Sequence, residues 1–131
     1  MTNIAPKVFI IDDDKFLLNM YSIKFSKNNF EVNSANSGEE AVKKLKEGYK
    51  PDIILLDIVM PGMDGFDILA ALKKDNLAPQ AAVIMLTNQG QLSDIEKAKS
   101  FGVSGYIIKA TTIPSEVVEE VSRIFNLHKQ V

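Results

Sequence analysis

Short apolar runs alternate along this chain with segments whose apolar residues recur every three or four positions, and few architectures accommodate that rhythm. The runs are Val8 to Ile11, Phe30 to Ala35, Ile53 to Leu56, Ala82 to Leu86 and Tyr106 to Ile108. The first, third and fourth are apolar throughout, as strands covered on both faces of a parallel sheet should be. The second, with Glu31, Asn33 and Ser34, is half polar and belongs at an edge. Each crossover between strands contains a helical segment, and right-handed crossovers place helices on both sheet faces. The expectation is an α/β protein: a doubly wound sheet of five parallel strands in the order 2-1-3-4-5, with five helices.

The helical segments carry their own start and stop signals. Asp14 is placed to cap a helix that buries Leu17, Met20, Tyr21 and Phe25, with the stem of Lys24 snorkelling across the stripe. Ser37 and Glu40 have capping-box spacing ahead of Ala41, Val42 and Leu45, and Gly48 suits the end of that helix. Asp64 precedes Ile68, Leu69 and Leu72, and Leu92, Ile95, Ala98 and Phe101 form a fourth stripe. Thr112 with Pro114 opens a last helix burying Val117, Val121, Ile124 and Phe125. At 131 residues the chain is expected to be one domain, its core spanning about residues 6–128, with nothing left over for an output domain.

Composition removes several function classes. No cysteine is present, which excludes disulfide frameworks, thiolate metal sites and thiol nucleophiles. A formal charge of −2 with no basic cluster makes direct nucleic acid binding unexpected. No apolar stretch is long enough for a signal peptide core or a membrane span, so a cytoplasmic protein is expected.

In open parallel sheets ligands bind beyond the carboxyl ends of the strands, where strand order reverses. Asp12 and Asp13 stand at the end of the first run, Asp57 at the third, Thr87 at the fourth and Lys109 at the fifth. Converging carboxylates repel one another unless a cation compensates them, and an all-oxygen donor set points to Mg²⁺ or Mn²⁺. Mg²⁺ takes one or two carboxylates and favours phosphate oxygens as further ligands, so a phosphoryl group is the natural remaining partner. Thr87 offers a hydroxyl donor and Lys109 a compact positive charge for phosphoryl oxygens. Asp57, central among them, is the candidate nucleophile.

These residues resemble the receiver domains of two-component response regulators, close in length to the stand-alone, chemotaxis-type members. The likeness runs in order through Phe9 to Asp14, Ile54 to Gly65, Val83 to Thr87 and Gly105 to Lys109, and covers essentially the whole chain. It implies a flavodoxin-like fold and a phosphorylation-activated signalling protein. On that resemblance Asp57 accepts a phosphoryl group from the phosphohistidine of a histidine kinase or phosphotransfer protein. Asp13 and Asp57 bind Mg²⁺ directly, Asp12 largely through water, and the Val59 backbone carbonyl adds a ligand. Thr87 and Lys109 contact the phosphoryl oxygens, and Tyr106 moves when Thr87 is drawn inward. The readout is the surface of the fourth helix, fifth strand and fifth helix, offered to a downstream protein as a monomer or a phosphorylation-dependent dimer. No outside metabolite is turned over; the chemistry is self-directed phosphotransfer and dephosphorylation, its lifetime influenced by Val59 and Gln89.

Where the family usually has Pro after the active-site Lys, often in a cis bond, this chain has Ala110, so either the bond is trans or strain is stored there. Two other classes compete. A Mg²⁺-dependent aspartyl phosphatase would need a second acid two residues past Asp57, where Val59 stands. A flavin carrier shares the strand order, but Asp12 to Asp14 are hostile to phosphate where a Gly, Ser or Thr cradle is needed. A receiver-like binding module that is never phosphorylated is the remaining alternative. Met60 and Met63 read as gap fillers, and His128, the one histidine, as a solvated tail residue.

Overall fold

A computed structural model describes residues 4–130 of the chain. Met1 to Asn3 and Val131, counted in the expected single domain, lie outside the described residues. In chain order the elements are β1 (Lys7–Ile11), α1 (Lys15–Lys27), β2 (Glu31–Ala35), α2 (Gly38–Lys46), β3 (Ile53–Leu56), α3 (Gly65–Lys74), β4 (Ala82–Thr87), α4 (Leu92–Ser100), β5 (Gly105–Ile108) and α5 (Pro114–Lys129). A 3₁₀ turn, Lys109–Thr111, joins β5 to the last helix. All strand pairs are parallel and the order is β2-β1-β3-β4-β5, the doubly wound arrangement expected from the alternation.

Strand side chains alternate between two cores. Val8, Ile10, Ile53, Leu55 and Ile84 pack against α1 and α5 through Leu18, Phe25, Val117, Val121 and Phe125. Phe9, Ile11, Ile54, Leu56 and Met85 pack on the opposite face against α2, α3 and α4 through Leu45, Ile68, Leu69 and Ala98. A slip of one residue in any central strand would exchange the two sets, so the apolar pattern pins the register.

Helix ends follow local chemistry, with some departures from expectation. The Asp14 side chain caps α1, its Oδ1 accepting the N–H groups of Phe16 at 3.0 Å and Leu17 at 3.1 Å. Ser37 Oγ accepts the Glu40 N–H at 3.1 Å, but Glu40 reaches back to the N–H of Asn36 rather than that of Ser37. The reciprocal capping box forms instead on α3, between Asp64 and Asp67. Gly48 follows α2 at φ +105°, a left-handed position that a side chain would strain.

Three expectations are corrected. Leu18 rather than Leu17 is buried on α1, because apolar residues wrap most of that helix and Leu17 and Met20 pack only at the core margin. Leu92 is 69% exposed, and Ala98 is the one fully buried residue of α4, which is therefore lightly docked. Thr112 ends the 3₁₀ turn instead of capping α5; Ile113 holds the cap position, its N–H donated to Glu116 Oε1 at 3.2 Å.

Candidate functional site

The carboxyl edge of the sheet is extended by one residue at β1 and at β3. Asp12 N–H donates to the Ala35 carbonyl at 3.2 Å and Asp57 N–H to the Ile11 carbonyl at 3.1 Å, so both residues sit on continued ladders. Their side chains converge. Ligand oxygens of Asp12, Asp13 and Asp57 all lie within 4.8 Å of one another. Asp12 and Asp57 are buried, whereas Asp13 is exposed.

Backbone donors orient the two buried carboxylates. Asp12 Oδ1 accepts the Asp14 N–H at 3.0 Å and Asp57 Oδ1 accepts the Ile58 N–H at 2.8 Å. Their Oδ2 atoms turn to one cation: Lys109 Nζ lies 2.5 Å from Asp12 Oδ2 and 3.0 Å from Asp57 Oδ2. Burial lifts the Asp12 carboxyl above its ordinary value of 3.8 despite the Lys109 hydrogen bond. For Lys109 burial acts to lower the ammonium, but the Asp12 hydrogen bond and the Asp57 charge outweigh it and hold it above 10.5.

The loop after β3 is held close to α3. Gly65 N–H donates to the Ile58 carbonyl at 2.8 Å, and a Cβ on Gly65 would stand 2.4 Å from the Asp57 carbonyl oxygen. Only glycine allows the helix start to approach the nucleophile candidate this closely. Val59, two residues beyond Asp57, is 57% exposed at the rim.

Thr87, at the end of β4, is fully buried, and its Oγ1 accepts the Gln89 N–H at 3.3 Å. Tyr106 donates its hydroxyl to the Gln89 carbonyl. Thr87 and Tyr106 are thus tied to the same backbone residue of the β4–α4 loop. Between them Asn88 takes the Ala110 N–H onto its Oδ1 at 2.8 Å. No cis peptide occurs among the described residues, so the Lys109–Ala110 bond is trans. The role of Asn88 was missed in the sequence, where Ala110 was the available signal: an alanine at that position brings an N–H that requires an acceptor.

His128 departs from expectation. It is half-buried, within hydrogen-bond distance of the Gln80 carbonyl (2.9 Å) and of Ser104 Oγ (3.4 Å), and ties the end of α5 to the opposite pole of the sheet. Met60 is buried and Met63 half-buried, both within the α2–α3 core.

Residues 8–122 match the response regulator receiver domain family. The chain belongs to that family. The chemotaxis protein CheY of Thermotoga maritima is 36% identical over 121 residues, which span 92% of this chain and 98% of that protein. CheY of Bacillus subtilis is 35% identical over 123 residues, covering 93% and 99%. Among solved structures, CheY4 of Vibrio cholerae superposes with a TM-score of 0.83 at 26% identity, covering 92% of this receiver domain and 98% of that chain. This is a receiver domain of the CheY type, and receiver domains act with histidine kinases and downstream targets in two-component signalling.

The donor set suits a hard divalent ion. Three carboxylates against one ammonium leave two formal negative charges, and no imidazole or thiolate stands among them. Among the described residues no helix is long and apolar enough to cross a membrane.

Proposed function

We propose that this receiver domain is a phosphorylation-activated switch in which Asp57 accepts a phosphoryl group from a phosphohistidine. The observation that carries the reading is the convergence of the Asp57 carboxylate, a buried ammonium and two further carboxylates at one sheet edge. Asp12, Asp13, Asp57 and the Val59 carbonyl would hold Mg²⁺, with Mn²⁺ as a substitute. When bound, the ion supplies positive charge that neutralises the oxygens of the transferring group.

The chain's own groups do the rest. An Asp57 carboxylate oxygen attacks phosphorus and forms an acyl phosphate O–P bond as the donor's N–P bond breaks. The imidazole nitrogen departs with that electron pair and is protonated from solvent. Lys109, charged throughout the neutral range, leaves its carboxylate partners to meet the phosphoryl oxygens. Thr87 receives the Gln89 N–H on its oxygen and keeps its own proton for a phosphoryl oxygen. Attack of water on phosphorus then returns the carboxylate and releases inorganic phosphate, so the protein resets itself without turning over an outside metabolite.

Movement of Thr87 toward the phosphoryl group drags Gln89, and with it the acceptor of the Tyr106 hydroxyl. The output is therefore read on the α4, β5 and α5 face, where the lightly docked α4 is the element easiest to shift. The partners are a histidine kinase or phosphotransfer protein upstream and a protein target downstream, with no direct nucleic acid contact.

Intact mass after exposure to phosphoramidate or acetyl phosphate tests the reading. One phosphoryl adduct is expected on the wild-type protein with Mg²⁺, and none on Asp57→Asn or without the ion. An adduct that persists in Asp57→Asn would move the acceptor elsewhere, and a wild-type protein that takes none would favour a phosphorylation-independent binding module.

A further inference from the structure

The ammonium at the centre of the site is carried by a short, exposed turn. Lys109–Thr111 is a single 3₁₀ turn without a side-chain cap from its own neighbourhood, and Ala110 and Thr111 are exposed while Thr112 is half-buried. The first N–H groups of such a turn have no partner within it. One of them, on Ala110, is satisfied by Asn88, a residue 22 positions earlier in the chain on the β4–α4 loop. The bond also settles which way the Asn88 amide faces, since only its oxygen can receive an N–H.

We propose that Asn88 is a positioning residue for the Lys109 ammonium, acting through this hydrogen bond to the backbone of the next residue. The part that Lys109 plays in phosphoryl transfer rests on the function proposed above; the placement of its ammonium does not. The Asn88 bond works at the base of the side chain while Asp12 and Asp57 hold the tip. Holding the base lowers the freedom the long side chain would otherwise spend on reaching two carboxylates at once. The same bond joins two loops that carry separate phosphoryl contacts. Thr87 precedes Asn88 by one residue, and Lys109 precedes Ala110 by one. A displacement of the β4–α4 loop is thereby delivered to the turn bearing Lys109. A proline at position 110 would abolish the device, because it has no N–H to give.

Acylation of Lys109 by an amine-reactive acetyl ester, followed by peptide mass spectrometry with the exposed lysines as internal references, reads the placement directly. Asn88→Ala and Ala110→Pro are each expected to raise the Lys109 rate about three- to tenfold, the range of one hydrogen bond. The double variant should react no faster than the quicker single one, and Ala110→Ser, which keeps the N–H, should match wild type. A rate in Asn88→Ala within about twofold of wild type, or a double variant showing the product of the two single effects, would overturn the proposal. The same proteins given phosphoramidate and Mg²⁺ separate the two ideas. Slower labelling of Asp57 in Asn88→Ala supports both, whereas an unlabelled wild type sinks the phosphoryl reading and leaves the acylation pattern to decide Asn88.

Discussion

At the scale of single residues the site is defined by unequal sharing: two buried carboxylates face one ammonium, with a third carboxylate at the rim. Removing the ammonium strands both. Lys109→Ala is expected to destabilise the ion-free protein by about 3 kcal/mol, with part of that recovered by millimolar Mg²⁺, both read from urea unfolding midpoints. The pH dependence has a definite sign. Asp12 takes up its proton above 3.8 in the folded chain, so ionising it costs folding free energy once pH passes the unfolded value, and a bound cation relieves that cost. Stabilisation by Mg²⁺, measured as the shift in thermal midpoint, should thus be small near pH 4 and grow toward pH 7; a shift that shrinks over that range would contradict the carboxylate ligand set. The acidic residues, Thr87 and Lys109 were legible because each follows an apolar run immediately. Asn88 was not, since its partner is distant in sequence and its type fits any turn. His128 was misread because nothing local signals that Gln80 and Ser104 lie across from it.

Elements differ in how firmly they are held, and caps and close approaches account for much of it. Asp14→Ala removes the acceptor of two N–H groups and should cost about 1 kcal/mol in denaturant unfolding with little effect on labelling of Asp57. Gly65→Ala is a different test, since the added methyl meets the Asp57 carbonyl. It should cost about 1–3 kcal/mol and also weaken Mg²⁺ binding by calorimetry, because the β3–α3 loop must move. The existence of all five strands and all five α-helices was readable, from apolar spacing together with Asp, Ser, Gly and Pro signals. Facing was less so. On α1 nearly every side is apolar, so spacing alone does not choose Leu18 over Leu17. The α4 stripe overstated its burial because Leu92, the first residue of the helix, is left exposed and only Ala98 is buried. At α5 the cap signal of Thr112 lost to an intervening 3₁₀ turn that sequence pattern does not announce.

For the whole molecule, order in the sheet sets a gradient of protection. β1, β3 and β4 are covered on both sides and flanked by strands, while β2 and β5 are edges. Native-state hydrogen exchange should find the amides of Ile10, Leu55 and Ile84 opening only with global unfolding, and those of α4 opening by a much cheaper local route. Equal protection in α4 and β3 would argue against α4 as the mobile element. This topology was readable in advance because chirality leaves few options once the polar second strand is put at an edge. The helix-to-strand junctions lie at the pole opposite the carboxylates, and the exposed Lys74 to Asn76 stretch belongs to one of them. A reporter or immobilising tag grafted there would be separated from the acidic pocket by the full height of the sheet, giving the protein a natural handle for biosensor engineering.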